Sequence, residues 1–328
     1  MKALTQDRYG GPGRLVLDEV EAPVPAEDEV LIRVGAVGLN AADWHVMRGE
    51  PFLARLAYGL RRPKHRIPGS DVAGVVEAVG ARVRHLQVGE VVMSEVDVRG
   101  LAELVAVKEE YVVPAPAALT IEQAAALPLA GLTSLRAVRD CGQVQAGQRV
   151  LVNGASGGVG HYCVQLAHHL GAHVTGVCST ANLDLVRRLG ADEVLDHTEV
   201  DPLEVAEPYD VIIDIVANHP LARFRAALTR RGRYVAVGAG TGREGQSGRV
   251  LGPAWTTLRV AAVSPFVPQT LVPVIASRTR TDLLELHDLA EQGALRPHVA
   301  RTYPFADAPA ALAHLEAGHV AGKLVVTL

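Results

Sequence analysis

Residues 149–178 constrain the fold of this chain more than any other stretch. They begin with a short apolar run, Val150 to Val152, which is typical of a buried strand, and continue into a glycine-rich turn. Apolar residues then recur at helical spacing as far as Gly171, a glycine placed where helices commonly end. A second apolar run reaches Cys178. This order predicts a strand–turn–helix–strand unit, the building block of a parallel sheet.

The turn has a sequence suited to binding phosphate. Residues 153–160 read Asn-Gly-Ala-Ser-Gly-Gly-Val-Gly, a GxGxxG-like spacing with alanine in the first place. Glycines let a pyrophosphate approach the main chain, and the following helix offers its unpaired N–H groups. An ordinary glycine-rich turn is the alternative. We predict that the turn binds a dinucleotide through Ser156, Gly157, Gly158, Val159 and Gly160.

Length and charge bound the classes of protein to consider. A chain of 328 residues is longer than one ordinary domain, and its 48% hydrophobic content is enough for a sizeable core. The net charge of −4 is mixed, with no long basic block, so we expect no nucleic-acid partner. We also expect no signal peptide and no membrane span, because no apolar run is long enough, and therefore a cytoplasmic protein.

Cysteine and histidine do not form a recognisable metal or disulfide pattern. Cys141, Cys163 and Cys178 are far apart and include no CxxC, so we expect buried, reduced thiols. His161 and His168 are one heptad apart on the predicted helix after the glycine turn. Without a third ligand, we expect both histidines at the surface rather than at a metal.

The two halves of the chain have different periodicities. Up to residue 118 the sequence predicts short strands between Gly/Pro turns, in an antiparallel barrel-like domain, at residues 15–20, 29–37, 71–79 and 90–96. Residues 51–68 are predicted to be a long loop with one helical turn. From residue 149 strands and helices alternate, with later strands predicted at residues 209–216, 232–237 and 257–263. The last of these is predicted to be the edge strand of the sheet.

Several motifs together resemble the medium-chain dehydrogenase/reductase superfamily, and within it the zinc-free quinone oxidoreductase branch. The matching stretches occur in the family's order and cover nearly the whole chain: Gly38-Leu39-Asn40-Ala41-Ala42-Asp43, Pro68-Gly69-Ser70-Asp71-Val72-Ala73-Gly74, Leu129-Ala130-Gly131-Leu132-Thr133, Gly154 to Gly160, and Gly322-Lys323. The resemblance implies an α/β protein with a Rossmann doubly wound parallel sheet and a GroES-like antiparallel β-barrel domain. It places the GroES-like catalytic domain at residues 1–118 and 296–328, the cofactor domain at 119–295, and nicotinamide chemistry between them.

The same resemblance bears on metal. Zinc-dependent alcohol dehydrogenases of this superfamily hold their catalytic zinc with two cysteines and a histidine. On the matching motifs those places hold Asn40, Ser70 and Leu129, whose amide, hydroxyl and alkyl groups cannot replace thiolate and imidazole. The cysteine-rich lobe for structural zinc is also missing around residues 95–100. We therefore expect no zinc.

The choice of cofactor depends on the end of the second strand. An acidic residue about twenty positions after the glycine motif would bind the ribose of NAD. That place holds Ser179, followed by Thr180 and Asn182; no carboxylate there repels a 2′-phosphate, and hydroxyls can donate to it. We predict a preference for NADP(H). Related NADPH reductases often have Arg or Lys next, where this chain has Ala181 and Leu183, so a permissive pocket that also takes NAD(H) is the alternative.

The catalytic residues implied are few, since the cofactor carries the hydride chemistry. Asn40 is a candidate donor to a substrate carbonyl, and Asp43 is either catalytic or a structural turn residue. Tyr58, the tyrosine of the long loop, is a candidate proton donor.

Further cofactor contacts are implied at Asn40, Thr133, Gly238, Ala239, Phe266 and Lys323. The alternatives are that the Thr133 hydroxyl bonds the backbone of its own helix and that the Lys323 side chain is solvated.

These observations favour one function over two rivals. We expect an NADPH-dependent reductase of quinones or α,β-unsaturated carbonyl compounds, forming a homodimer through the Rossmann edge strand. A zinc-free alcohol or carbonyl dehydrogenase is the rival enzyme. A nucleotide-binding scaffold or NADPH sensor with little turnover is the rival from another class.

Overall fold

The computed structural model describes residues 1–204, 206–237, 253–275 and 277–328. The chain packs into two compact units, one formed by Met1–Leu132 and Ser277–Leu328 and the other by Thr133–Ala276. The predicted borders at residues 118 and 296 differ from these. The segment after residue 118 contributes a helix that packs on strands of the first unit, and a helix of residues 280–291 also packs there. The division of the chain into folding domains stays a prediction.

The first part of the chain is mostly strand. Its elements, in order, are β1 (Lys2–Thr5), β2 (Val16–Glu19), β3 (Glu29–Leu39), α1 (Ala41–Arg48), α2 (Arg55–Tyr58), β4 (Asp71–Val79), β5 (Val91–Glu95), β6 (Leu104–Lys108), β7 (Val112–Pro114), α3 (Ile121–Ala126) and α4 (Pro128–Leu135). Thr120 caps α3 by accepting the backbone N–H of Gln123, as the sequence Thr-x-x-Gln predicts. In the predicted loop of residues 51–68, a 3-10 turn at Phe52–Ala54 precedes the short α2.

The second part alternates strand and helix. It contains β8 (Arg149–Asn153), α5 (Gly160–His169), β9 (His173–Cys178), α6 (Leu183–Arg188), β10 (Glu193–Asp196), β11 (Tyr209–Asp214), α7 (Leu221–Ala226), β12 (Leu228–Ala236), α8 (Pro253–Val263) and β13 (Thr270–Pro273). The chain then continues with α9 (Arg280–Glu291), β14 (Val299–Pro304), α10 (Ala308–Ala317) and β15 (Lys323–Thr327).

The second unit has the sheet that the glycine turn predicts. Its strands lie in the order β10-β9-β8-β11-β12-β13, and every neighbouring pair is parallel. The strand order reverses direction between β8 and β11, which is the doubly wound arrangement of a Rossmann sheet. Strand β11 is buried along most of its length, as expected where both faces are covered. The predicted fold class is confirmed here.

The first unit is built on a mainly antiparallel sheet. Its seven strands follow the path β14-β15-β3-β4-β5-β7, with β6 also pairing with β3. Among its described strand pairs, only that of β14 and β15 is parallel. The core of this unit contains apolar side chains from both parts of the sequence, among them Val37, Val72 and Leu324. Strand β15, from the last part of the sequence, therefore completes this sheet beside β3.

One predicted strand is wrong. Residues 257–263 belong to the helix α8, and the edge of the sheet is β13. Burial recurs every third residue, at Thr257, Val260 and Val263, with exposed residues between them. This is a helical period rather than the alternation of a strand. Pro253 at the start also suits a helix, because the backbone N–H that proline lacks would have no hydrogen-bond partner in the first turn.

The prediction for His161 is also wrong, because its side chain is fully buried. Its Nδ1 lies 2.9 Å from the carbonyl oxygen of Gly157 in the glycine turn. His168 is exposed, as expected.

Cys163 and Cys178 are buried free thiols, whereas Cys141 is half-buried. Among the helices of the described ranges, none combines the length and apolar character that a membrane span needs.

Candidate active site and cofactor site

The glycine turn lies between β8 and α5, at the carboxyl edge of the parallel sheet. Gly154 has a φ of 90°, a conformation that favours glycine. At Gly160 a Cβ atom would lie 2.0 Å from the carbonyl oxygen of Gly154, so no side chain fits there. At Gly157 a Cβ would meet only that oxygen, at 3.4 Å. The glycines therefore leave the backbone without side chains where a pyrophosphate would approach α5, and the turn fits a dinucleotide.

Side-chain hydrogen bonds connect the turn to the end of β9. Nδ2 of Asn182 donates to Oγ of Ser156 at 3.3 Å and to Oγ of Ser179 at 3.2 Å. The backbone N–H groups of Gly154 and Ala155 both donate to the carbonyl oxygen of Val177. Three residues predicted to bind the cofactor, Ser156, Ser179 and Asn182, are thus brought together.

Thr180, the fourth predicted residue in this region, has a different partner. Its hydroxyl donates to Oδ2 of Asp196, the last residue of β10. Asp196 also accepts from the hydroxyl and the backbone N–H of Thr198, at 2.7 and 2.9 Å. These hydrogen bonds, that of Thr180 first, lower the pKa of Asp196. Sequence reasoning missed Asp196; its only signal was its place at the end of the third strand of the sheet.

A second polar cluster lies inside the first unit, and the sheet registers explain it. Strand β15 pairs with β3 so that Leu324 faces Leu39, and β3 pairs with β4 so that Gly38 faces Asp71. Asn40 directly follows β3, Asp71 begins β4 and Lys323 begins β15, so these registers bring the three residues together at one end of the strands. The cluster, named here the buried network, consists of five buried residues: Asn40, Asp43, Ser70, Asp71 and Lys323.

Asn40 is at the centre of the buried network. Its Nδ2 donates to Oδ2 of Asp71 at 2.8 Å and makes a longer contact of 3.4 Å with the carbonyl oxygen of Gly38. Its Oδ1 accepts a hydrogen bond from Nζ of Lys323. The side-chain amide is therefore held from both ends, by a cation at the oxygen and a carboxylate at the nitrogen.

Asp71 and Lys323 form a buried ion pair. Nζ of Lys323 lies 3.8 Å from Oδ2 of Asp71, and the side chains are 2% and 0% exposed. The backbone N–H of Leu129 also donates to Asp71, at 3.0 Å to Oδ1. Burial raises the pKa of Asp71 and lowers that of Lys323. The opposite charge of each partner counteracts this shift, because it favours the ionised form of the other group. The alternative of a solvated Lys323 is wrong.

Asp43 makes the contacts of a structural turn residue. Its Oδ2 accepts the backbone N–H of Asn40 at 2.7 Å, at the start of α1, and its Oδ1 accepts the hydroxyl proton of Ser70. Burial raises the pKa of Asp43 to about 6, although these hydrogen bonds favour the ionised form. The carboxyl group therefore holds β4 and α1 together, and whether it also acts in catalysis stays a prediction.

The other predicted residues are placed less closely together. Tyr58 is half-buried, and burial, followed by the charges of Asp97, Glu95 and Asp43, raises the pKa of its phenol. Thr133 is half-buried, whereas Phe266 is 87% exposed. Gly238 and Ala239 lie outside the described residues.

The residues at the catalytic-zinc positions of related enzymes do not fit zinc. Asn40 uses its oxygen to accept from Lys323, Ser70 donates to Asp43, and Leu129 has an alkyl side chain. An ammonium group beside these residues would also oppose a divalent cation. Within the described ranges, no group of three or more His, Cys, Asp or Glu residues is arranged to hold a metal ion.

Comparison with known protein families gives two matches along this chain. Residues 26–117 match the alcohol dehydrogenase GroES-like domain. Residues 189–326 match a family described as zinc-binding dehydrogenase. The first match corresponds to the antiparallel sheet, and the second extends from the parallel sheet to β15.

Whole proteins are similar over nearly the full length. The chloroplast envelope quinone oxidoreductase homolog of Arabidopsis thaliana is 33% identical, over 99% of this chain and 98% of the relative. The NADPH-dependent alkenal/one oxidoreductase of the same plant is 31% identical, over 99% of this chain and 79% of the relative. The quinone oxidoreductase of Escherichia coli, solved with NADPH, is 26% identical, with a TM-score of 0.82 over 100% of both chains.

Sequence motifs, the two sheets and full-length similarity thus agree. The chain belongs to the quinone oxidoreductase branch of the medium-chain dehydrogenase/reductase superfamily, with a GroES-like domain and a Rossmann domain, and is an NAD(P)H-dependent oxidoreductase.

Proposed function

We propose that this protein uses NADPH, without zinc, to reduce quinones or α,β-unsaturated carbonyl compounds. The observation that carries the proposal is the amide of Asn40, held between the Lys323 cation and the Asp71 carboxylate where related enzymes bind zinc. With no metal to polarise an isolated carbonyl, the acceptor has to be activated already. Quinones and enones are such acceptors, and relatives named for both classes support the choice.

Asn40 has one hydrogen to offer to a substrate. When bound, the nicotinamide supplies the hydride, and addition at the β-carbon of an enone leaves negative charge on the enolate oxygen. One amide hydrogen of Asn40 makes only the 3.4 Å contact with the carbonyl oxygen of Gly38. This hydrogen can instead be donated in a hydrogen bond to the enolate oxygen. The cation of Lys323 at Oδ1 draws electrons from the amide and strengthens its N–H donors. This interaction is stronger in the transition state than in the substrate.

The final proton comes from Tyr58 or from water. The Tyr58 phenol is protonated at neutral pH and so has a proton to give, although burial and nearby acidic residues raise its pKa and make it a weaker acid. Asp43 supports the site by fixing the start of α1, which follows Asn40 directly. In this mechanism Asp43 is a positioning residue.

The preference for NADPH rests on the end of β9. Ser179 has a hydroxyl where enzymes that use NAD have an acidic residue. Arg or Lys is absent from the next positions, Ala181 and Leu183, so the preference is expected to be moderate, with NAD(H) as the weaker cofactor. Thr133, Phe266, Lys323, Gly238 and Ala239 stay predictions as cofactor contacts.

A substrate panel tests the function. NADPH oxidation should be rapid with quinones or enones, and oxidation of simple primary alcohols with NADP⁺ should be almost undetectable. Robust alcohol oxidation would instead favour the zinc-free alcohol dehydrogenase. NADPH binding with no turnover on any acceptor would favour the nucleotide-binding scaffold or sensor.

Zinc independence has its own measurement, since it rests on the donor groups of Asn40, Ser70 and Leu129. Elemental analysis of the purified protein should find less than stoichiometric zinc, and chelators should leave quinone reduction unchanged. One tightly bound zinc per chain would contradict it.

Assembly and location are further parts of the proposal. We place the homodimer contact at β13, because among the described strands it lies at the edge of the Rossmann sheet with β12 as its neighbour, and an edge strand can pair with another chain. Light scattering at micromolar concentration should give the mass of two chains, and a monomeric mass would contradict it. A cytoplasmic location is proposed with it, and cell fractionation tests that.

A further inference from the structure

We propose that Asn182 is a positioning residue that fixes the direction of two serine hydroxyls, Ser156 and Ser179, and thereby sets recognition of the 2′-phosphate. The inference rests on the proposed use of NADPH and adds a cause for it. No Arg or Lys directly follows Ser179, so the groups next to it that can donate to a 2′-phosphate are neutral hydroxyls. What matters is then which way their protons point.

The geometry at Asn182 determines that direction. Its Nδ2 group has two hydrogens and no lone pair to accept with, and it lies 3.3 Å from Oγ of Ser156 and 3.2 Å from Oγ of Ser179. Each serine oxygen therefore accepts from Asn182. Since a hydroxyl has only one proton, both serines must direct theirs elsewhere, away from the amide.

The surroundings hold this arrangement in place and leave it accessible. Ser156 is part of the glycine turn, which the N–H groups of Gly154 and Ala155 attach to Val177 on β9. Ser179 directly follows the last residue of that strand. Both serines are half-buried, so a ligand can reach their hydroxyls. The two protons are therefore available to an anion, from Ser156 to the pyrophosphate and from Ser179 to the 2′-phosphate.

The hydroxyl of Thr180, one residue later, is directed the other way: it donates its proton within the protein and leaves its lone pairs for a ligand. Its single proton goes to Asp196, so its oxygen can offer only lone pairs to a ligand. Lone pairs suit a ribose hydroxyl and repel a phosphate. Although the sequence suggests that any of these hydroxyls can donate to the phosphate, the hydrogen bonds restrict that role to Ser179.

The amide orientation is what this inference depends on. With the oxygen and nitrogen of Asn182 exchanged, Oδ1 would accept both serine protons, and the phosphate would meet no donor. The two orientations therefore predict opposite effects of removing the Asn182 side chain on the contribution of Ser179.

A double-mutant cycle on purified protein tests the proposal, with NADPH and NADH dissociation constants from calorimetric titration. Ser179→Ala should weaken NADPH binding about tenfold, a typical value for one hydrogen bond to a charged group, and NADH binding by less than about twofold. In the Asn182→Leu background the same change should cost NADPH less than about threefold, because the hydroxyl is no longer directed. Asn182→Ala serves as a second background.

Thr180→Val is the matched control, because its hydroxyl is directed by Asp196. Its effect on NADPH binding should be the same with and without Asn182. Equal effects of Ser179→Ala in both backgrounds, or a larger effect without Asn182, would overturn the positioning role alone. A protein that binds no NADPH at all would overturn both this inference and the proposed function. NADPH binding without turnover would leave this inference standing and contradict only the enzymatic proposal.

Discussion

The two polar clusters of this molecule use similar groups in opposite ways. In the buried network, the amide of Asn40 lies between a cation and a carboxylate, and no member of the set is more than 8% exposed. At the end of β9, the amide of Asn182 lies between two half-buried hydroxyls, and its hydrogen-bond partners among the described residues are neutral. One amide completes an internal set of partners, whereas the other leaves donors free for a ligand.

This difference separates stability from binding. A buried ion pair is costly to break, because the remaining charge has no water to solvate it. A half-buried hydroxyl can be lost with little effect on folding, since water replaces its partner. Variants of the buried network should therefore act mainly on unfolding, except at Asn40, and variants at the end of β9 should act on affinity.

The largest expected effect is that of Lys323→Met. It leaves Asp71 buried beside Asn40 and Leu129 without its cation, which should cost about 3–5 kcal/mol of unfolding free energy. Urea unfolding measures the loss. The double variant Lys323→Met with Asp71→Asn removes both charges and should recover most of it. If Lys323→Met unfolds like the wild type, the ion pair contributes little and the contrast between the clusters fails.

A second effect is a pH dependence from Asp43. Its folded-state pKa of about 6 is above the unfolded value, so the folded protein binds the proton more tightly. Stability from this group is present below about pH 4 and is lost as pH rises to about 6, by roughly 3 kcal/mol. The difference in unfolding free energy between wild type and Asp43→Asn should fall over that range. A difference that is constant with pH would show that the carboxyl is not perturbed.

Asn40→Ala should affect turnover more than cofactor binding. Loss of one donor to a developing oxyanion lowers kcat by on the order of a hundredfold. The dissociation constant for NADPH should change by less than about threefold, and Tyr58→Phe provides a comparison that leaves the amide intact. Unchanged turnover on the best acceptor would remove Asn40 from the mechanism.

Ser179→Asp should have the smallest of these effects, and only on affinity. A carboxylate at this place repels a 2′-phosphate and removes a donor, so NADPH binding should weaken by about thirtyfold, or about 2 kcal/mol. NADH binding should be maintained or improved, because the carboxylate can accept from the ribose. The unfolding free energy should stay within about 0.5 kcal/mol. Equal losses for both cofactors would show that Ser179 is not at the phosphate.

The parts of the structure that the sequence predicted well depend on local patterns. The strand β8, the glycine turn and the helix α5 follow one another directly, and their residues determine their conformation largely by spacing. The antiparallel strand β4 was also predicted with the observed bounds. Residues 257–263 were predicted wrongly because a short apolar run fits a strand or a helix equally well.

The candidate site depends on contacts that no local pattern contains. Lys323 and Asn40 are 283 positions apart, and only the pairing of β15 with β3 brings them together. The same holds for Asp196, which reaches Thr180 through the pairing of β10 with β9. Motif comparison indicated which residues matter, but their hydrogen-bond partners could be identified only from the folded structure.

The position of Lys323 in the sequence has a consequence for synthesis on the ribosome. The helix α1 with Asp43 and the strand β4 with Asp71 emerge early, but the cation that accompanies them is on β15, the last of the described strands. The Rossmann sheet, continuous in residues 149–273, is made entirely in between. The nascent chain therefore holds its first unit incomplete while the second can fold, at a synthesis rate of about 5–20 residues per second. During this interval the two acids lack their buried cation, and the core of the first unit lacks the apolar side chains of β15, among them Leu324 and Val326, until the last strand is made.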